Sequence, residues 1–468
     1  MMMIRSKKVK QMMTRNNIFG SMCGNSWVKA SLVLFTLHFS LLAAAQQRQW
    51  SLRECCDYAV ANNITVKQKA KAVEKQGYTL STARNSRLPD LSGSAAQNFS
   101  FGRGLTEDNV YANTNTSNTS LQLQTSVPIF TGFQIPENIK LNRLNLEAVT
   151  ADLEKAKNDI RMEVAKAYVQ ILYDQEISAV AHRQVDIDSQ QVARLEAFVK
   201  NGKASGAELS RQKATMASSM LTATQADNNT RLAILTLTQL LELPTPEGFQ
   251  VVIPTEEEMA QIADLSLTLP DQIYNEALSV KPEIRSQELR LKGAQHSINI
   301  ARAGYYPKLN FSAGLGTNYY TTSGFPSNSF GEQIKNNFSQ FIGLSLSIPI
   351  FDRFSTRNSI RSAKVDRENQ QLALDNTKKT LYKEIQQVYY NALNAQAKES
   401  SSRLAVTSLK DAFELTQAKY ENGKANITEF NEAKNTYLKS ESDLVQARYE
   451  HLYQRALLEF YRGKELDF

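Results

Sequence analysis

A chain that carries the same text twice must fold as two copies of one unit. Here the text returns at a spacing of 221 residues. Ser126–Phe130 (SVPIF) comes back as Ser347–Phe351 (SIPIF), and Lys200–Leu209 (KNGKASGAEL) as Glu421–Phe430 (ENGKANITEF). Beside these landmarks lie residues 137–201 and 350–422, which contain neither Gly nor Pro. Sixty-five helical residues span about 98 Å, a length no compact domain needs. The repeated unit is therefore built on a very long helix.

The apolar positions of these segments step by three and four. The second copy reads Ile385, Val388, Ala392, Ala395, Glu399, Ser402, Val406, Leu409, Phe413, Thr416 and Tyr420. The first reads Val164, Ala167, Ile171, Asp174, Ser178, Ala181, Val185, Asp188, Val192, Leu195 and Val199. Eight of eleven are apolar in each, in one register, which is the 3.5-residue period of a coiled-coil seam. Gly202 and Gly423 end the long helices, expected at 137–201 and 356–421, because glycine admits the left-handed conformation. Return helices are expected at 207–242 and 428–462. They reach only half as far, so the rest of each long helix must pair with helices at 51–84 and 271–303.

Ahead of each long helix, after Pro89 and Pro307, the period drops to two. Leu91, Gly93, Ala95, Phe99 and Phe101 alternate with Ser92, Ser94, Asn98 and Ser100; Leu121, Leu123, Val127 and Ile129 alternate with Gln122, Gln124 and Ser126. Leu309, Phe311, Ala313 and Leu315, then Ile342, Leu344, Leu346, Ile348 and Ile350, repeat the pattern. The spacing predicts two hairpins, 89–129 and 307–350, with polar loops at 102–118 and 316–337. Strands of about ten residues with one apolar face suit a tilted crossing of a bilayer; a half-buried hairpin of a soluble sandwich alternates in the same way. The copies align at an offset of 218 before the hairpins and 221 after, so three residues were inserted between Pro307 and Pro349. The organisation is thus a first repeat at 46–244, a linker at 245–270 with at most one short strand, a second repeat at 271–463 and a tail at 464–468.

Residues 1–45 read as a cleaved secretory signal. Six basic residues precede an apolar run from Ala30 to Ala45 that ends in small residues, with no acid in the segment. Of 54 basic and 47 acidic residues, those six leave with the signal. The remaining 48 against 47 is near neutral and gives no argument for nucleic acid. Cys55 and Cys56 are neighbours on the first helix and read as packed thiols. His182, His296 and His451 have no ligand spacing, and no phosphate loop, dinucleotide fingerprint or nucleophile elbow occurs. No enzyme activity, metal or cofactor is expected.

Four strands cannot close a membrane barrel, and open edges in lipid would leave backbone groups unpaired. If these strands sit in a membrane, several chains pool them. At this point the residues resemble a family. SVPIFTGF and SIPIFDRF at the strand-to-helix junctions, the opening SLRECCDYAVANNITVKQ, and the turns FVKNGKASGAEL and KYENGKANITEF are similar to those of TolC-like outer membrane factors. The resemblance covers nearly all of the mature chain. It implies a mostly α fold with a β-barrel portion: a homotrimer with a twelve-stranded barrel in outer membrane lipid, continued by a periplasmic helical barrel. It implies the exit duct of a tripartite efflux pump, working with a periplasmic adaptor and an inner-membrane transporter. The outlet of a type I protein secretion system has the same fold, and a coiled-coil scaffold without a pore is the alternative outside the class.

The resemblance also marks residues. Glu429 and Glu432 match the acidic positions that narrow the family's entrance, where the family has aspartates; two solvated glutamates in a first helical turn are the plainer account. Tyr420 and Glu208 match the tyrosine and acid of the links that hold entrances closed, but Ala425 stands where the arginine belongs, leaving Lys424 or Lys203 to replace it. Tyr420 equally fits the coiled-coil seam. Gly202, Lys203, Gly423 and Lys424 match the turns that meet the adaptor, and a bare helix cap explains the glycines as well. Glu208 stands opposite Glu429, but Gln212 opposite Ala433, so the copies share a scaffold more than a role, and the second is the better candidate for a gate.

Overall fold

The computed structural model describes residues 49–105, 109–255, 257–259 and 267–466; the expected signal segment lies outside them. The elements run β1 (Gln49–Trp50), α1 (Leu52–Asn62), α2 (Ile64–Asn85), β2 (Asp90–Leu105), β3 (Tyr111–Phe130), α3 (Gln134–Lys200) and α4 (Gly206–Leu240). They continue as β4 (Gln250–Val251), α5 (Pro270–Val280), α6 (Pro282–Arg302), β5 (Lys308–Thr322), α7 (Phe330–Asn336), β6 (Ser339–Ser347), α8 (Ser355–Glu421) and α9 (Ile427–Tyr461). The two long helices have 67 residues each, about 100 Å. Their return helices have 35 each. α4 pairs with the distal part of α3, and α9 with that of α8. Nearer the sheet α2 packs on α3, and α6 lies against both α3 and α8. α9 also crosses to α3, joining the copies.

Where all these helices meet, one core forms from Leu52 and Cys55 of α1, Val164–Leu172 of α3, Leu381 and Ile385 of α8, and Val445–Tyr461 of α9. Cys55 and Cys56 are buried in it as thiols, not bridged to each other, and burial pushes the Cys55 thiol up to about 12. The linker feeds the same core: β4 pairs in parallel with β1, Phe249 stacks on Trp50, and the Tyr168 hydroxyl donates to the Val252 carbonyl at 2.6 Å.

One expectation fails here in both copies. The helices expected at 51–84 and 271–303 are each two helices, broken at Asn63 and at Lys281. These residues match at the offset of 218, and both are buried. The Asn63 amide accepts from Thr65 N–H and donates to the Leu240 carbonyl at 3.0 Å. Lys281 donates to the Phe460 carbonyl at 3.4 Å, with its ammonium 4.4 Å from the centres of the Phe460 and Tyr461 rings. Each break thus fastens to the end of a return helix.

At the other end, β2, β3, β5 and β6 form one antiparallel sheet in that order. The strands are longer than the alternation alone indicated. β2 runs to Leu105 and β3 starts at Tyr111, so most of the expected loop 102–118 is ladder. β5 runs to Thr322, and the rest of the expected loop 316–337 holds α7. β6 stops at Ser347, short of Ile350. The insertion works as an edge cover. Beyond Gly316, where β6 no longer pairs, Gln333 of α7 accepts from Tyr320 N–H at 2.9 Å and donates to Tyr320 O at 3.0 Å, while Asn337 donates to Asn318 O at 2.8 Å. Side-chain amides here stand in for a missing strand.

The register sets Leu91, Phe99, Phe101, Leu121, Leu123, Leu315, Ile342, Leu344 and Leu346 on one face, all exposed, and Ser92, Ser94, Ser120, Gln122, Gln124, Ser312 and Ser345 on the other. At both junctions with the long helices the chain turns through left-handed residues, Gly132–Phe133 and Arg353–Phe354. Gly132 is obligatory, since a Cβ would lie 2.7 Å from the Ala303 carbonyl oxygen. Among the described residues no helix is long and apolar enough to cross a membrane.

Candidate functional site: the distal tips of the helical hairpins

The two distal turns are built alike. After α3, Asn201, Gly202 and Lys203 N–H groups donate to the carbonyls of Ala197, Val199 and Phe198 at 3.2, 3.0 and 2.8 Å. After α8, Asn422, Gly423 and Lys424 donate to Ala418, Tyr420 and Lys419 at the same three distances. Gly202 and Gly423 sit at φ 69° and 71°, and a Cβ on either would meet nothing within 4 Å, so conformation alone selects glycine. Lys203 and Lys424 are exposed. The following helices are capped by different residues. The Ser205 hydroxyl accepts from Glu208 N–H at 3.1 Å; Asn426 accepts from Glu429 N–H at 2.9 Å and its amide donates back to the Glu429 carboxylate at 3.0 Å.

Glu429 is therefore the partner of the Asn426 cap, in the first turn of α9, and Glu432 follows one turn on; both are exposed. Tyr420 and Glu208, half-buried, come close enough to interact but are not hydrogen-bonded to one another. Burial and the Glu208 charge push the Tyr420 phenol up, against the pull of Arg194. Neither Lys203 nor Lys424 supplies the cation. Arg194 of α3 does: its guanidinium donates to the Glu421 carbonyl at 3.1 Å, lies 3.4 Å from the Glu421 carboxylate, and sits 5.6 Å from the ring centres of both Tyr420 and Phe198. The first copy's helix thus clasps the second copy's turn. No local signal marked Arg194, because its partner is more than two hundred residues away in sequence.

Behind the second turn lies an aromatic stack. Tyr420 stacks on Phe430, Phe430 meets Phe413, and Phe413 lies parallel to Tyr437 at 5.6 Å. The Tyr437 hydroxyl donates to Glu441 at 2.7 Å, and burial together with this bond pushes it up to about 12. Glu441 also accepts from Arg183 of α3 at 3.2 Å.

Behind the first turn lies charge instead. Asp188 and Lys434 form an ion pair with both side chains fully buried. Asp188 further accepts from Gln212 at 3.1 Å and from Ser219 at 2.6 Å, and Asn431 donates to Gln212 at 3.2 Å. α3, α4 and α9 are tied at this one carboxylate. Asp188 was visible in the sequence as a polar break in the apolar series; Lys434 had no such signal. Higher up, Glu399 accepts from the buried His451 and from Arg403, each at 2.7 Å. His451 first, then Arg403, hold the Glu399 carboxyl below the usual carboxylate range, against its burial. The matched region of the first copy uses Asp227, which accepts from Ser178 at 2.5 Å and lies 3.1 Å from His182.

A family model described as outer membrane efflux protein matches residues 56–242 and 273–464. Nodulation protein T of Rhizobium leguminosarum bv. trifolii is 22% identical over 398 residues, covering 84% of this chain and 80% of that protein. The outer membrane efflux protein BepC of Brucella suis is 20% identical over 392 residues, covering 84% and 80%. Among solved structures, the CmeC outer membrane channel of Campylobacter jejuni superposes with a TM-score of 0.73 at 17% identity, over 89% of this chain and 87% of that one.

Proposed function

The chain belongs to the outer membrane efflux protein family, and from that premise we propose that it is the outer membrane exit duct of a tripartite efflux pump. The observation that carries the reading is the sheet. It turns an apolar face to solvent, and its strand order leaves β2 and β6 as edges. An apolar face of this extent belongs against lipid, and strand edges in lipid must be closed. Three copies pool twelve strands into one barrel, with the Ser- and Gln-lined face toward a water-filled lumen. The helical hairpins continue the duct into the periplasm. The duct is passive; an inner-membrane transporter supplies energy, and the turns around Gly202, Lys203, Gly423 and Lys424 meet a periplasmic adaptor.

In that trimer Glu429 and Glu432 place six carboxylates around the axis at the periplasmic entrance, a ring that favours cations. The Arg194 clasp on Tyr420 and Glu421, with Glu208 beside it, holds the tips in their closed arrangement, and opening is a two-state rearrangement of the hairpins.

Purified protein in planar bilayers tests the reading. Expected is a stable conductance from protein recovered in the outer membrane fraction, with cation selectivity that drops when Glu429→Gln and Glu432→Gln are combined. Unchanged selectivity removes the ring. A chain absent from the outer membrane and without conductance removes the duct.

A further inference from the structure

The two copies close one corner of the fold in different ways. Their return helices end alike. Leu241, Glu242 and Leu243 N–H groups donate to the carbonyls of Leu237, Gln239 and Thr238; Arg462, Gly463 and Lys464 donate to the matched Leu458, Phe460 and Glu459. Glu242 and Gly463 both take positive φ, 57° and 92°. In the first copy the Glu242 carboxylate accepts from Ile64 N–H at 3.1 Å, where α2 begins. Asn63 beside it is held by Thr65 and Leu240. A carboxylate of the chain itself thus closes this corner.

In the second copy three changes undo the arrangement. Lys281 stands for Asn63 and Pro282 for Ile64, at the offset of 218, and Gly463 stands for Glu242, at the offset of 221. The carboxylate is gone, the N–H it accepted from is gone with the proline, and an ammonium has come in. Val280 guards the change, since a Cβ on Gly463 would lie 2.8 Å from its Cγ1. Lys281 is only 6% exposed. Among the described residues it makes one hydrogen bond, the 3.4 Å contact with the Phe460 carbonyl, and no ion pair. An ammonium has three N–H groups, and a buried charge without a counter-charge is costly. Burial pulls this ammonium below the ordinary lysine range; Glu283, Glu384 and Asp159 act against burial from beyond ion-pair distance, and Lys155 acts with it.

A cavity of about 180 Å³ lies at this ammonium. It is walled by Cys56 of α1, Arg161 of α3, Val280 and Lys281 at the break, and Phe460 and Leu466 at the end of α9 and beyond. Of the other cations on the wall, Arg53 is held by Glu465 at 3.0 Å and Lys464 by Glu459 at 2.6 Å. Asp57 lies on the wall too, exposed to water. Arg161 donates to Asn158 at 3.1 Å through one nitrogen and keeps further N–H groups. Lys281 and Arg161 are therefore the donors with capacity to spare, beside apolar walls from Val280, Phe460 and Leu466.

We propose that this cavity binds a small monocarboxylate, its carboxylate on Lys281 with Arg161 as second donor, and its short apolar body against Val280, Phe460 and Leu466. Where the first copy supplies a carboxylate from Glu242, the second takes one from solution. One buried ammonium calls for one negative charge, which favours a carboxylate over a phosphate. The size agrees, because a cavity of about 150 Å³ accepts benzene. Bound there, the ligand joins α3 of the first copy to the break and the return helix of the second.

Isothermal titration of benzoate into the full chain, purified in detergent, tests the site. Expected is saturable binding, one site per chain. Lys281→Asn, which gives the second copy the first copy's residue, should weaken it about tenfold or more, because a charge-assisted hydrogen bond is lost. Arg161→Gln should weaken it by a smaller factor, and it keeps the test decisive should Lys281→Asn fail to fold. Benzamide, of the same shape without the charge, should bind about tenfold more weakly than benzoate. Absence of saturable binding, as from a cavity that takes only water, overturns the proposal. So does binding that the variants leave unchanged, as from adsorption to surface cations. Inorganic phosphate binding more tightly than benzoate overturns the choice of a carboxylate.

Discussion

The two hairpins, α3–α4 and α8–α9, have the same lengths and the same turn hydrogen bonds, yet different interiors. Behind the first turn the space is filled by Asp188, Gln212 and Ser219, with Lys434 reaching in from the other hairpin. Behind the second it is filled by Phe413, Phe430 and Tyr437, and Leu409 stands where Asp188 would be. The difference teaches that the backbone of a long hairpin is fixed by its cap, its turn and its seam period, not by any one interior. What the interior decides is which neighbour a hairpin holds. The charged one grips the second copy, while the aromatic one closes on itself and is clasped from outside by Arg194.

The largest effect is expected at Lys434. Lys434→Met strands the Asp188 carboxylate in a buried site and should cost about 3–5 kcal/mol of stability. Adding Asp188→Leu, the residue already tolerated at the matched position 409, should recover at least half of that. Thermal unfolding followed by circular dichroism reads both. A double variant no better than the single one would mean that the two interiors are not interchangeable.

The glycine turns sharpen the likeness. Gly202→Ala and Gly423→Ala should cost the same, about 1–2 kcal/mol each, because both sit at positive φ with open space around them. Clearly unequal losses would show that one turn is pressed against something the other is not.

The smallest effect concerns pH, at one carboxylate of each copy; the two do not match in register, since Ser178 stands opposite Glu399 and Arg448 opposite Asp227. Glu399 has a depressed folded value, so it adds stability above the ordinary glutamate range. That contribution fades as pH falls through the depressed value. The gap in melting temperature between the wild type and Glu399→Gln should be present near neutrality and close in acid. A gap that persists into strong acid would remove the ionic account of this contact. Asp227 of the first copy is depressed in the same direction by Ser178 and His182, but it is open to solvent, so Asp227→Asn should leave a shallower dependence.

Much of this fold was legible in the chain. The long helices begin and end within three residues of where the lack of Gly and Pro, and the turn glycines, place them. Strand parity was legible because side chains of a strand alternate strictly. The breaks at Asn63 and Lys281 are not legible in the chain: Pro282 opens the second helix of its pair, but a proline in the first turn of a helix and one inside it look alike until the cap is seen. Of the site, the turns and Glu429 could be placed by local pattern. Arg194 and Lys434 could not, because their partners lie on the other copy and nothing in either's own neighbourhood changes when the partner is present.

Two copies, four strands with one apolar face, two helices of about 100 Å and the turns that reverse them are all written in the amino-acid order. Each of these follows from backbone preferences and side-chain period, which are local. Which helix lies beside which, and so which charges are paired, which are buried and which apolar flanks stay exposed, follows from the three-dimensional packing alone. Packing is settled by surfaces far apart in the chain, and a repeat gives identical local signals to faces with different neighbours.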